Sequence, residues 1–257
     1  MHEGLSLRYQ PIVNATSGRL VAVEALLRRG TERDAPVDLL EAAAACGEAE
    51  TLDRAILART CVQIAAWEAE GLFIPVHVNI SAATAAATDA AEFAQWLRRQ
   101  VRASTSVTIE VTETTNVREI DALAAFVTTS RAAGFEVAID DFGCGYSTLA
   151  LLQTLRADVL KLDRRFVSVL DEDGWTRTIV RHLISLAHDL GMRVIGEGVE
   201  TKEQGVWLRR FDCDEFQGYA IAQPLPSGDL PPWARQRMSA GAEAEAKGGF
   251  LGMRRSC

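Results

Sequence analysis

Short runs rich in Val, Ile and Leu recur along the chain, and most are followed by a longer stretch whose apolar residues fall at helical spacing. RLVAVEAL precedes helical patterns at Val37 to Cys46 and Leu52 to Glu70. FIPVHVNI precedes Ala90 to Arg102, and SVTIEV precedes Glu119 to Ala133. FEVAID, DVLKLD, MRVIGEG and the shorter CDEFQGYAI continue the alternation, with helical patterns at Ser147 to Leu155, Thr176 to Leu190 and Lys202 to Phe211. Strands separated by helices predict a parallel α/β fold. With the opening LRYQPIV the strand candidates number about eight, which favours a closed barrel over an open doubly wound sheet.

No Gly/Ser linker or compositional break interrupts the pattern before Pro226, so a single domain over 1–233 is expected. The remainder, 234–257, is rich in Ala, Gly and Glu and reads as a frayed helix or disordered tail. No basic segment with an apolar core opens the chain, and no uninterrupted apolar run is long enough to span a membrane. The terminal RRSC places its cysteine last, which is not a prenylation box.

Composition narrows the function classes. With 48% hydrophobic and 24% charged residues in 257, the chain can bury a sizeable core without staples. A net charge of -8 and a pI near 5.1 oppose binding to nucleic acid polymers or anionic lipid, whereas a small phosphorylated ligand is compatible if cations offset the acids. The 5 cysteines are odd in number and form no CxxC pair, which fits reduced thiols in a cytoplasm.

Several apolar runs end in a group that can ligate a cation: Glu24 after LVAV, Asn79 after PVHV, Glu110 after SVTI, Asp140 and Asp141 after EVAI, and Glu197 after RVIG. The ordinary reading of any one acid is a loop cap or a solvated side chain, because 35 acids among 257 residues make a single coincidence cheap. Five strands ending this way are hard to assign to chance, since such ends converge on one face of a β/α barrel. So many carboxylates packed without a cation would repel one another strongly. Oxygen ligands without histidine or thiolate point to Mg²⁺ or Mn²⁺, with Ca²⁺ as an inhibitor, rather than to zinc. Adjacent Asp140 and Asp141 could help serve two ions if the chain turns there, and FGCGYS supplies two glycines for such a turn. Lys161, inside VLKLD, would project toward the same acids. His77, two residues before Asn79, is expected to line the core or lumen rather than to ligate. His182 and His188 lack a metal spacing, and no P-loop or GxGxxG string occurs.

These residues carry a resemblance to the EAL-domain family of cyclic di-GMP phosphodiesterases, from Tyr9 to Pro226. YQPIV is followed by EALLR at Glu24 to Arg28, VNIS at Val78 to Ser81 and EVTE at Glu110 to Glu113. DDFGCGYSTL from Asp140, KLDRRFV from Lys161, EGVET from Glu197 and QGY from Gln217 come after. The resemblance implies a (β/α)8 TIM-like barrel whose first strand is antiparallel to the others. It also implies that Glu24, Asn79, Glu110 and Asp140 are metal ligands, with Asp141 serving a second ion. Lys161 would contact the attacking water, Glu197 and Gln217 would complete the catalytic lining, and Arg28 would hold a substrate phosphate. Glu113, Asp163 and Glu200 would support these groups or their loops. The implied product is the linear dinucleotide 5′-pGpG, and the resemblance admits a homodimer and a regulatory protein partner. Arg29 stands where the family usually has tryptophan, the segment from Gly30 to Ala43 is shorter than usual, and Cys144 replaces a frequent threonine. None of these departures removes a metal ligand.

Two other readings compete. A catalytically silent cyclic di-GMP receptor or interaction module would share the fold, but such modules commonly lack one or more of these acids. A Mg²⁺-dependent enolising barrel also sets carboxylates and a lysine at strand ends, but Asn79, the double Asp and EVTE count against it.

Overall fold

The computed structural model describes residues 4–30, 36–101, 106–112, 117–143 and 148–237. Its elements in chain order are β1 (Leu5–Asn14), β2 (Leu20–Arg29), α1 (Val37–Ala45), α2 (Ala49–Ala69), β3 (Val76–Ile80), α3 (Ala82–Ala87), α4 (Ala90–Gln100), β4 (Val107–Thr112) and α5 (Val117–Ala132). They continue with β5 (Glu136–Phe142), α6 (Thr148–Leu155), β6 (Val159–Leu162), α7 (Arg164–Ser168), α8 (Gly174–Asp189), β7 (Arg193–Gly196), α9 (Lys202–Arg210), β8 (Glu215–Gln217) and β9 (Leu225–Pro226). A last helical stretch covers 230–237, and its Leu230 and Ala234 are buried in the core. The rest of the expected tail, 238–257, lies outside the described residues.

From β2 to β8 each strand pairs in parallel with the next. β1 closes the ring by pairing antiparallel with both β2 and β8, and β9 adds to the outer half of β1. The fold is therefore a closed eight-stranded β/α barrel with an antiparallel first strand. The short link Ala15 to Arg19 makes β1 and β2 a hairpin, which forces that antiparallel sense, whereas the later strands return through helices.

Strand alternation sorts side chains between two cores. Val78, Ile80, Ile109, Val111, Val137, Ile139, Leu160, Leu162 and Val194 belong to the larger cluster, which includes Trp67, Phe93, Leu97 and Phe126 from the helices. The alternate positions form a separate, small cluster of Ile12, Ala22, Ala138, Val159 and Ile195. These residues fill the lumen, and two positions later on the parallel strands come Glu24, Asp140, Lys161 and Glu197, with Gln10 two positions earlier on antiparallel β1. One lumen layer is thus mostly apolar, and the layer above it carries the polar groups.

Three local features depart from the sequence pattern. β2 runs on to Arg29 because β1 pairs with it as far as Leu5↔Arg29, so its two arginines are strand residues. The short helices α3 and α7 each follow a strand end, and each is capped by the residue at that end: Ser81 accepts from Thr84 N, and Asp163 accepts from Arg165 N. The turn expected after the double Asp lies partly within it. The β5–β6 register shifts between Ile139 and Phe142, and Asp141 itself adopts φ 52.

Candidate active site

Glu24, Asn79, Glu110, Asp140, Lys161, Glu197 and Gln217 meet in the upper lumen layer, each two positions beyond a lumen residue of its own strand. Lys161 is at the centre, with no measurable exposure. Its Nζ lies 2.8 Å from Glu110 Oε2, from Asp140 Oδ1 and from Glu197 Oε1, and 3.5 Å from Glu24 Oε2. Asn79 Nδ2 donates to Glu24 Oε1 at 2.8 Å, and Gln217 Nε2 donates to Glu24 Oε2 at 2.7 Å.

Electrostatics follow from three buried carboxylates, Glu24, Glu110 and Asp140, and the half-buried Glu197 around one ammonium. Burial alone would lower the lysine, but Asp140, Glu110, Glu197 and Glu24 hold its pKa above the ordinary lysine value. Burial likewise pushes Glu110 and Glu197 well above the carboxylate range, an effect that Lys161 only partly offsets. Glu24 goes the other way: burial pushes it up, but Lys161 and the amides of Gln217 and Asn79 bring it below its usual value. Asp141 is exposed at the rim of the cluster, yet partial desolvation among its neighbours, then the charges of Asp140 and Asp163, raise it to about 6. One ammonium cannot balance this set.

The residues present fit divalent cations. Oxygens of Glu24, Glu110 and Asp140 lie within 4.8 Å of one another, as do those of Asp140, Asp141 and Glu197, so Asp140 is common to two adjoining groups. Glu110 Oε2 and Asp140 Oδ1 are buried and, beyond their ion pairs with Lys161 Nζ, have no hydrogen-bond partner, so each keeps lone pairs that a cation could take. An all-oxygen donor set suits a hard cation.

Two hollows border this centre, one reaching it only at Asn79 and the other at Glu24, Glu197 and Gln217. One, of about 320 Å³, is mainly apolar and is lined by Leu26, Leu40, Leu52 and Ile56 with Arg28, Asn79 and Asp53 at its edge. The other, of about 240 Å³, is polar and is lined by Gln10, Glu24, Asp141, Asp163, Glu197, Glu200 and Tyr219. Asp163 is buried as the α7 cap and also takes Arg165 Nε at 3.0 Å. Arg28 is buried and donates from Nη1 to Leu27 O at 2.7 Å. Glu200 is exposed, and its backbone N–H donates to Gln204 Oε1. Arg29, on the outside, forms an exposed ion pair with Asp38 at 2.9 Å. Glu113 and Cys144 lie outside the described residues.

Sequence reasoning passed over two contributors. His77 lines the lumen as expected, but its Nδ1 lies 2.8 Å from Glu110 Oε1, and burial followed by Lys161 lowers its pKa to about 4. Asp53 is the other: its Oδ2 accepts from Ser81 N, Ser81 Oγ and Thr84 Oγ1, which holds the chain just beyond Asn79. Strand alternation signalled the inward direction of His77, whereas nothing in the spacing of Asp53 pointed to Ser81.

A closed β/α barrel with a buried, cation-demanding acidic centre at its strand ends defines the class of protein. The chain belongs to the EAL domain family, whose model matches residues 2–224. It is 32% identical over 238 residues to a cyclic di-GMP phosphodiesterase of Pseudomonas aeruginosa, covering 91% of this chain and 40% of that protein. The chain spans about a third to two-fifths of the length of the first curated relatives it matches. Among solved structures it resembles the MucR phosphodiesterase in complex with c-di-GMP, with a TM-score of 0.77, 33% identity, and coverage of 88% of this chain and 94% of that one. It also resembles Klebsiella pneumoniae BlrP1 in its manganese and cyclic di-GMP complex, with a TM-score of 0.73, 30% identity, and coverage of 84% and 55%. The same protein in a calcium complex matches at a TM-score of 0.74 and 29% identity, with the same coverage.

Proposed function

We propose that this domain is a divalent-metal-dependent phosphodiesterase that hydrolyses cyclic di-GMP to linear 5′-pGpG. The observation that carries this reading is the ring of Glu24, Glu110, Asp140 and Glu197 around Lys161, whose uncompensated negative charge requires cations before it can accept a phosphodiester. Family membership and the cyclic di-GMP phosphodiesterases among the relatives support the substrate. The polar hollow lined by Glu24, Asp141, Glu197 and Gln217 gives the centre an opening through which a phosphodiester could reach it.

Glu24, Asn79, Glu110 and Asp140 would hold one cation, and Asp141 a second one beside Asp140. Mg²⁺ and Mn²⁺ are the ions proposed, with Ca²⁺ supporting binding but inhibiting turnover. When bound, these ions supply Lewis acidity toward the phosphate and the attacking water. The rest falls to the chain. Lys161, compact and fully charged, orients the water by donating to its oxygen. Glu197 and Gln217 fix the lysine and Glu24 respectively, and Arg28 offers a planar donor fork to a phosphate at the rim of the apolar hollow. Asp163 and Glu200 support the loops around the polar hollow, and Glu113, outside the described residues, would take the supporting role that the resemblance gives it. Water attacks phosphorus in line, the bond to the 3′ oxygen breaks, and that oxygen leaves with a proton while the water oxygen stays on the 5′ phosphate.

The proposed unit extends over 1–233, with the closing helix continuing to 237, acts in the cytoplasm, and leaves homodimerisation and control by a partner protein to be measured. Incubation with cyclic di-GMP and Mg²⁺ or Mn²⁺, followed by chromatography, tests the reading. Appearance of pGpG supports it. Intact substrate under every metal condition, with binding retained, transfers the case to a silent receptor.

A further inference from the structure

His77 is a buried, polar, titratable residue that the mechanism above does not use. It is 2% exposed, on β3, and points into the lumen one layer below Asn79. The register pairs His77 with Thr108 and Asn79 with Glu110, so His77 and Glu110 are diagonal neighbours across adjacent strands. Its Nδ1 lies 2.8 Å from Glu110 Oε1, on the side of the carboxylate away from Lys161, which meets Oε2. Apolar Ile12, Ala22, Ala138, Val159 and Ile195 take up five of the eight places in this lower layer. The other three are His77, Thr108 and Glu215. Beneath them Glu136 accepts from Thr108 Oγ1 and pairs with Arg193, which also reaches Glu215.

We propose that His77 is a positioning residue for Glu110: Nδ1–H donates to Oε1, so that the other oxygen is presented to the cation and to Lys161. The inference rests on the reading of Glu110 as a metal ligand. An ionised carboxylate only accepts hydrogen bonds, so a Glu110 that binds a cation requires the proton on Nδ1 of a neutral ring. Without that donor, rotation of the carboxylate about its terminal bond is checked from one side only. An outer partner that fixes a ligand's orientation is worth about 10–100-fold in metal affinity. The competing reading, that the ring merely fills the lumen, makes shape matter and the donor irrelevant.

Mn²⁺ binding to the nucleotide-free protein, read by electron paramagnetic resonance of the free ion, separates the two readings. The variants are His77→Asn, His77→Gln and His77→Leu, with Glu110→Gln as reference and thermal midpoints in EDTA measured for each. Asparagine can place an amide N–H near the Nδ1 position, whereas glutamine places it near Nε2. His77→Asn is expected to bind Mn²⁺ within about threefold of the unmodified protein, and His77→Gln and His77→Leu to weaken it by about tenfold or more. Should His77→Leu fail to fold, the Asn and Gln pair decides. Equal affinity for that pair, or undiminished affinity in His77→Leu, overturns the role of His77 when Glu110→Gln has lost binding. Undiminished binding by Glu110→Gln would instead remove the ligand assignment, and this inference with it.

Discussion

Gln217 Nε2 donates to Glu24 Oε2 at 2.7 Å although 193 positions separate the two residues. They stand on β8 and β2, the two strands that flank β1, so closure of the barrel by the antiparallel strand also orients the first acid of the site. Asn79 holds the other oxygen of the same carboxylate.

Glu24→Ala is expected to separate catalysis from stability. The carboxylate is kept ionised by Lys161 and the two amides against the cost of burial. Removing it deletes a proposed ligand and also relieves repulsion within the acidic cluster. Turnover should fall by more than the roughly 10–100-fold that an outer partner of a ligand is worth, with a thermal midpoint within a few degrees of the unmodified protein. Near-normal turnover would remove Glu24 from the ligand set.

Lys161→Ala should lower kcat sharply and change the Kd for cyclic di-GMP, measured in Ca²⁺, only modestly, because the ammonium acts on the attacking water. Lys161→Arg should fail as well, since a planar guanidinium cannot reproduce a compact point charge among four carboxylates. Loss of the only buried ammonium of the cluster should also destabilise the metal-free protein by about 3 kcal/mol, less when Mn²⁺ is present. Normal cleavage of weakly bound substrate would contradict this role.

Much of this arrangement was legible in the sequence because the lumen layers follow a period of two. An acid after an apolar run, as in VAVE or VTIE, is placed at a strand end and on the face opposite its neighbours. α3 and α7 were not legible: a turn or two of helix is too short to show a period, and both depend on a cap at the preceding strand end. The His77–Glu110 and Asp53–Ser81 contacts join residues from different elements, and only the register or the packing brings them together. The place of the turn at Asp141 was also hidden, since a left-handed aspartate is uncommon beside a glycine that would adopt φ > 0 more readily.

Metal affinity should rise with pH through about 6. Asp141, though exposed at the rim, is raised to about 6 by partial desolvation and by Asp140 and Asp163, and a protonated carboxyl must release its proton before it can ligate. Below that value, apparent Mn²⁺ affinity should fall about tenfold per pH unit for each proton released. Calorimetry in buffers of different ionisation enthalpy counts those protons. A flat affinity between about pH 5 and 7 would count against Asp141 as a ligand.

Gly218→Ala should disturb the site from its back wall. A Cβ at Gly218, which has φ 156, would lie 2.2 Å from both the N and the O of Val199. Those backbone groups bond to Gln217 O and Ala220 N, and tie the loop after Glu197 to the turn after Gln217. The backbone must shift, at a cost of about 1–3 kcal/mol by comparison with other overpacked sites, and turnover should fall with it. Gly228→Ala, with open space around the added carbon, serves as the control in denaturant melts and activity assays. Equal behaviour of the two variants would mean that the wall does not position the site.

Hydrolysis of cyclic di-GMP in ¹⁸O-labelled water, with products resolved by mass spectrometry, tests the central claim most directly. With Mn²⁺ the account predicts linear pGpG carrying one heavy oxygen on its 5′ phosphate and an unlabelled 3′ hydroxyl, and no product once EDTA is added. Label on the 3′ hydroxyl, product formation that persists in EDTA, or intact substrate at every metal concentration would contradict it.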